Sequence, residues 1–188
     1  AGSVKIDGSN LGSALAGSIA ATKISANTTN GFSIVSYTGN GTTAQTVAHG
    51  LSTAPEMMII KSRSIVQVWN VFNSPAGITG DTVLDLSTTG AANTGGGIEI
   101  TANASTFGIG SATQVNTSGA TFMTYCFHSV EGYSKVGSYV GNGVDGDGNF
   151  LYCGFKPAWV MFKKTTATSG WSMYDDKRNT YNPVKNRL

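Results

Sequence analysis

The chain has 188 residues, only 12% of them charged, and a net charge of +2. That length suits one or two domains with a real core. No apolar run reaches the roughly 18 residues of a membrane-spanning helix, so no membrane insertion is expected, and so small a net charge gives no reason to invoke nucleic acid. Gly, Ser, Thr and Asn are abundant, which is unusual for a cytosolic enzyme and suits a β-rich protein whose outer faces carry small polar residues.

The chain opens on AGSVKIDGSN, without an initiator Met or a signal-peptide pattern, and reads as a processed product or a fragment. Its first thirty residues contain no aromatic side chain. Leu11, Leu15 and Ile19 recur at helical spacing, but Gly12, Gly17 and the intervening Ser residues weaken any isolated helix. Residues 1–31 are therefore expected to form a low-complexity arm or linker, or a segment that orders only against neighbouring subunits.

From Phe32 onward the signals are those of strands. FSIVSYTG, EMMIIKSR, VQVWNVFN, TVLDLST, GIEITAN, STFGIG and TFMTYCFHSV are short β-branched or aromatic runs, most of them bounded by Gly, Asn, Ser or Pro. MMIIK and WVMFK are unbroken apolar runs and read as central strands covered on both sides. VQVWNVF alternates, which puts Val68, Asn70 and Phe72 on one side and Gln67, Trp69 and Val71 on the other. Nothing after residue 31 has a helical period. About seven strands in a hundred residues predict an all-β fold, an antiparallel β-sandwich of jelly-roll-like type.

An internal repeat runs through this pattern. GFSIVSYTGNG (31–41) matches GYSKVGSYVGNG (132–143), APEMMIIKSRS (54–64) matches KPAWVMFKKTT (156–166), and VWNVFN (68–73) matches GWSMYD (170–175). Tyr37 and Tyr139, Pro55 and Pro157, Lys61 and Lys163, and Trp69 and Trp171 each stand 102 residues apart. The expected organisation is an arm at 1–31, one sandwich module at 32–131, and a second, apparently incomplete module at 132–188. A half-sheet would expose long edges, so either the chain is expected to continue past Leu188, the favoured reading, or a neighbouring chain supplies the missing surface. The first module carries two basic against five acidic residues, net −3, and the second eight against four, net +4. Charges this sparse decide little about how the two pack.

The motif set is an aromatic-rich opening to Tyr-x-Gly-Asn-Gly, a Pro before an apolar strand that ends in Lys, a Trp strand, the closing ATFMTYCF, and YDDKRNTYN after the second Trp strand. Together these resemble the repeated module of virion structural proteins of tailed phages, marine ones especially, as found in tail-fibre, appendage or decoration proteins. The resemblance covers residues 31–188. It implies a non-enzymatic component of an extracellular particle, usually a homo-oligomer in contact with other virion proteins, and no catalytic or binding residue to carry over. An extracellular carbohydrate-binding or adhesin module, touching a host-surface glycan, is the alternative, and a glycan-degrading enzyme a distant third.

Candidate sites are few. In NGVDGDGNF (142–150), Asp145, Asp147 and Asn149 alternate like the first oxygen ligands of a calcium loop. The sixth position, which should be Gly, is Phe150, and the twelfth, which should be Glu, is Lys156. The equivalent connection of the first module has no acid, so a polar turn is the simpler reading. Trp69 and Trp171 could stack on sugar rings, but equivalent strand positions point to a repeated core residue, and Trp159 is expected to be buried. His49 aligns with Cys153, which argues against a chemistry common to both modules. Cys126 and Cys153 either form one bridge or are both buried thiols, the latter preferred. A zinc site would have to recruit carboxylates beside two Cys and two His. No G-x-S-x-G occurs. Asp175 and Asp176 are the candidate carboxylates for glycoside hydrolysis, but the adjacent KRN makes charge pairing the better explanation. Gly95–Gly97 reads as a flexible turn and not as a phosphate cradle. No catalytic, cofactor or metal residue is assigned.

Overall fold

The structure, a computed structural model, describes residues 3–178 other than 13, 14, 16, 145 and 146. It is built almost wholly of strands: β1 Ser3–Ile6, β2 Ser9–Asn10, β3 Ala21–Asn27, β4 Phe32–Thr38, β5 Gln45–Ala48, β6 Met57–Ser62, β7 Asn70–Asn73, β8 Thr82–Asp85, β9 Asn93–Thr94, β10 Thr101–Ala102, β11 Thr106–Ile109, β12 Thr121–Phe127, β13 Trp159–Phe162 and β14 Ser172–Asp175. One helical turn, α1 Thr113–Asn116, and a 3₁₀ turn at Ser74–Ala76 interrupt them. The all-β reading therefore holds.

The strands form a nine-stranded sheet in the order β2-β1-β3-β4-β12-β6-β7-β8-β9, a three-stranded sheet β10-β11-β5, and a separate hairpin β13-β14. Strand β4 has the period-2 burial of a sheet with one covered face. Its inward residues Val35 and Tyr37 join Met58 and Ile60 of β6, Phe72 of β7, and Phe122 and Cys126 of β12. They meet Val47 and Ala48 of β5 and Phe107 and Ile109 of β11 in one shared core. Tyr37 sits at its centre, stacked on Phe122 at 5.2 Å and edge-on to Phe107 at 5.9 Å, with its hydroxyl donating to the Val115 carbonyl at 2.7 Å. The alternation expected for VQVWNVF is present over its ordered part, with Phe72 in the main core and Val71 in a smaller cluster with Ile78 and Leu84 on the opposite face of the sheet. Strand β5 was not foreseen, since QTVA is short and lies between Ala44 and His49 in a polar connection.

The segment read as an arm differs from expectation. It supplies three strands of the large sheet, and Val4, Ile19, Ala21, Ile24 and Ala26 are buried in the core of this same chain. The physical reason lies in two local features. Asp7 and Gly8 take left-handed φ values of 49° and 81° and turn β1 into β2, the conformation that an Asp-Gly pair favours in a two-residue hairpin. In β3 the few apolar residues fall on one face once an irregularity between Ala21 and Lys23 resets the pairing with β4. The helical spacing of Leu11, Leu15 and Ile19 comes to nothing: Leu11 is exposed and Ile19 precedes a strand. Strand β1 pairs with β3 in parallel, so the sheet is not purely antiparallel.

The repeat reappears as geometry. Strand β6 pairs with β7 through Met57↔Asn73, Met58↔Phe72, Ile59↔Val71 and Ile60↔Asn70. Strand β13 pairs with β14 through Trp159↔Asp175, Val160↔Tyr174, Met161↔Met173 and Phe162↔Ser172. Every partner in the second set stands 102 positions after its counterpart in the first. The surroundings differ. β6 lies between β12 and β7, as a central strand should, whereas β13 belongs to a two-stranded sheet. WVMF is therefore not a central strand, because the flanking strand that covers MMII has no counterpart among the described residues.

Candidate interaction surface

The β13-β14 hairpin is tied to the rest of the chain through its loop. Trp171 donates its indole N–H to the Asp85 carbonyl at 2.9 Å and packs against the Val71, Ile78, Leu84 cluster on the outer face of the large sheet. The Ser169 amide reaches the Thr89 carbonyl at 2.9 Å, the Ala92 amide reaches the Thr165 carbonyl at 2.8 Å, and the Lys163 ammonium group also donates to Thr89.

The strands themselves leave apolar surface in solvent. Val160 and Tyr174 share one face with Phe162, which stacks on Tyr174 at 5.8 Å. Their counterparts Met58, Phe72 and Ile60 form the core of the first unit and are at most 2% exposed, while Val160 and Phe162 are 37% and 40% exposed. Tyr139, the counterpart of Tyr37, is half exposed. Leu151, Phe150 and Tyr152, in the stretch that matches β5, are exposed as well, Phe150 by 89%. Trp159, expected to be buried, is 52% exposed. This set of exposed apolar side chains makes the hairpin a candidate interaction surface. Beside it an open cleft of about 280 Å³ is lined by Lys156, Pro157, Trp159, Tyr174, Asp175 and Asp176, among others.

The other candidates resolve individually. Asp145 lies outside the described residues. Asp147 and Asn149 are exposed, and their loop is closed by Asn142, whose amide donates to the Asp147 carbonyl, and by Asn149, whose amide donates to that of Val140. The described residues contain no cluster of three His, Cys, Asp or Glu side chains placed to hold a metal. Asp175 accepts from the Lys177 and Arg178 amides at 2.9 Å and from the Arg178 guanidinium at 2.7 Å. Those donors hold its carboxyl below the usual range, the Lys177 amide first. A glycosidase acid needs the opposite shift. Asp176 lies 3.9 Å from the Lys177 ammonium group.

Trp69 and Trp171 make different contacts. Trp69 is half-buried under the Lys61 ammonium group, 5.9 Å from the ring centroid, while Trp171 seals the hairpin to the sheet. His49 is fully buried; its Nε2 donates to the Asn103 carbonyl at 3.0 Å and its Nδ1 accepts from the Leu51 amide at 3.1 Å. Burial, foremost, lowers its pKa. Both cysteines are free thiols. Cys126 is buried, and burial pushes it up to about 12, so it acts as a small apolar residue; Cys153 is only half-buried. Gly95–Gly97 all take left-handed φ and form a turn.

The Gly-Asn-Gly motif was read only as a repeat marker, and the structure gives it a task. In the first unit, the Asn40 side-chain oxygen accepts from the Thr42 amide at 2.9 Å, and Gly41 has φ 72°. In the second, the Asn142 oxygen accepts from the Val144 amide at 3.1 Å, and Gly143 has φ 73°. Only the first turn is gripped. The buried Asn116 side chain donates to the Thr42 and Gly110 carbonyls at 2.7 and 2.9 Å and accepts from the Asn40 amide at 2.8 Å.

No curated protein and no solved structure matches this chain. One family, described as a domain of unknown function (DUF7483), matches residues 6–188, nearly the whole length, and the chain belongs to that family.

Proposed function

We propose that this chain is a non-enzymatic structural component of a tailed-phage particle, a tail-fibre, appendage or capsid-decoration protein. It is made from a duplicated β-sandwich module of jelly-roll-like type. It works by burying sheet faces and pairing strands with copies of itself and with other virion proteins, and carries out no chemistry of its own. The observation that carries this reading is the register of β13-β14, which reproduces that of β6-β7 at a 102-residue offset while leaving the matching core face uncovered. A duplicated strand pair with an exposed inner face is a surface for association. The motif resemblance over residues 31–188 supplies the particle context. Light scattering across a hundredfold concentration range tests the association: the expected result is a multimer, and a monomer at every concentration overturns it.

One observation favours a second reading, an extracellular carbohydrate-binding or adhesin module on a host-facing tip. The cleft beside Trp159 and Tyr174 places aromatic faces next to Asp175, Asp176 and Lys156, and aromatic rings beside polar groups suit a sugar ring. A monomer that binds oligosaccharides on a glycan array, and loses them in Trp159→Ala, establishes this second reading in place of the first.

A further inference from the structure

The second unit keeps residues whose purpose is visible only in the first. A Cβ at Gly39 would stand 2.4 Å from the Thr117 carbonyl oxygen and 2.9 Å from the Asn116 carbonyl carbon, so the α1–β12 connection requires glycine there. Its counterpart Gly141 has no described atom within 4 Å of the same position. Gly50 faces the Ile24 side chain at 2.9 Å, whereas Gly154, with nearly the same left-handed φ, has no described atom within 4 Å. The inner-face residues Val160, Phe162 and Tyr174 are apolar like Met58, Ile60 and Phe72, yet lack the cover that the latter have.

In the first unit the β5-β11 strands of the smaller sheet cover that face, and the strand that flanks β6 on its other edge is β12. It pairs antiparallel with β6 through Phe122↔Ser62, Thr124↔Ile60 and Cys126↔Met58. On its other edge it pairs with β4 over its whole length, so β12 itself is not free to serve β13. Pairing between the β13 edges of two copies is opposed by charge. Lys156 lies before the strand and Lys163 and Lys164 follow it, and an antiparallel pair would bring these lysines towards one another.

We infer that the second unit is an acceptor for one antiparallel β-strand of the β12 type, supplied by a partner polypeptide. The incoming strand pairs with the edge of β13 that no described strand occupies, in the register that β12 uses on β6. It places apolar residues and a Thr-sized residue inward beside Val160 and Phe162, and a turn that precedes it closes on Gly141. Recognition is strand addition to a sheet edge: main-chain hydrogen bonds hold the strand, and alternate side chains select it. The inference rests on the duplicated module of the preceding reading, and not on the particle to which that module is assigned.

The test supplies the missing cover. A synthetic peptide with the sequence of residues 104–131, which contains β11, α1 and β12, is added to the full chain, and in a second preparation is fused after Leu188 through a Gly-Ser linker. Amide hydrogen exchange in β13 is expected to slow by about tenfold or more, and Trp159 emission to shift to the blue. Val160→Asp and Gly141→Val, both at exposed and uncrowded positions, are expected to cancel both effects while leaving the unfolding midpoint of the unliganded chain in place. Unchanged exchange in β13 with both the free and the fused segment overturns the inference, as does protection that survives both substitutions. Protection that appears without peptide and rises with protein concentration assigns the surface to a second copy. A Trp159 response to oligosaccharide alone assigns it to a glycan. Light scattering on the unmodified chain tests the particle reading separately, so either can fail alone.

Discussion

His49 and Asn116 show how much of this core depends on single polar side chains. His49 is held neutral, with both ring nitrogens engaged and its pKa depressed by burial. The unfolded chain takes up a proton near pH 6.5 that the folded chain refuses. The His49 contribution is therefore present above that pH and is lost as pH falls towards the folded pKa. Urea midpoints measured from pH 7.5 down to pH 5 are expected to fall, and the slope to shrink in His49→Gln. Asn116 bridges the Gly39–Gly41 turn to Gly110. Asn116→Ala removes one buried and two part-buried hydrogen bonds, for a loss of about 1–3 kcal/mol from the one buried carbonyl left without its donor, read from chemical denaturation. Neither role was legible in the sequence: His49 looked like an alignment curiosity beside Cys153, and Asn116 sits in an unremarked TQVN. Hydrogen bonds that span 54 to 78 residues leave no local pattern to read.

At the scale of the element, equivalent strands have unequal consequences. Ile60 of β6 is fully buried and Phe162 of β13 is exposed. Ile60→Ala is expected to cost about 2–5 kcal/mol, and Phe162→Ala to stay within about 0.5 kcal/mol, in parallel denaturation series; equal costs would mean that the hairpin is packed like its counterpart. This contrast also marks what sequence reading could reach. Strand identity and the repeat were legible because side-chain alternation and the shared Tyr, Pro, Lys and Trp positions are local. Burial of Trp159 was misjudged because a strand's burial belongs to its neighbours. The strands of residues 1–31 were missed for the opposite reason. Small residues make a faint pattern, and the Asp7-Gly8 hairpin signal went unread.

For the whole molecule, the second unit is attached more than it is integrated. Trp171 is the main apolar contact, supported by the hydrogen bonds at Thr89 and Ala92. Trp171→Ala is expected to raise exchange throughout β13-β14 by about tenfold or more while the β4, β6 and β12 amides keep their protection, since the units then open separately. A uniform rise across both would show instead that the chain unfolds as one cooperative body.

A common register has a kinetic side. While the chain folds, β12 meets two hairpins cut to the same pattern, β6-β7 and β13-β14, and docking on either satisfies its backbone. The β6 hairpin is the closer in sequence to β4, the other strand that β12 must join. Once β4 and β12 have paired, only β6 lets the Phe107 side of the core close. A chain that docks β13 first must undo that choice, which makes it a kinetic trap of the kind tandem repeats are prone to. Weakening the correct site with Ile60→Ala should therefore slow the final refolding phase more than its stability loss alone explains. Adding Val160→Asp, which spoils the decoy, should restore the rate without restoring the stability. Stopped-flow refolding of the single and double variants reads this directly.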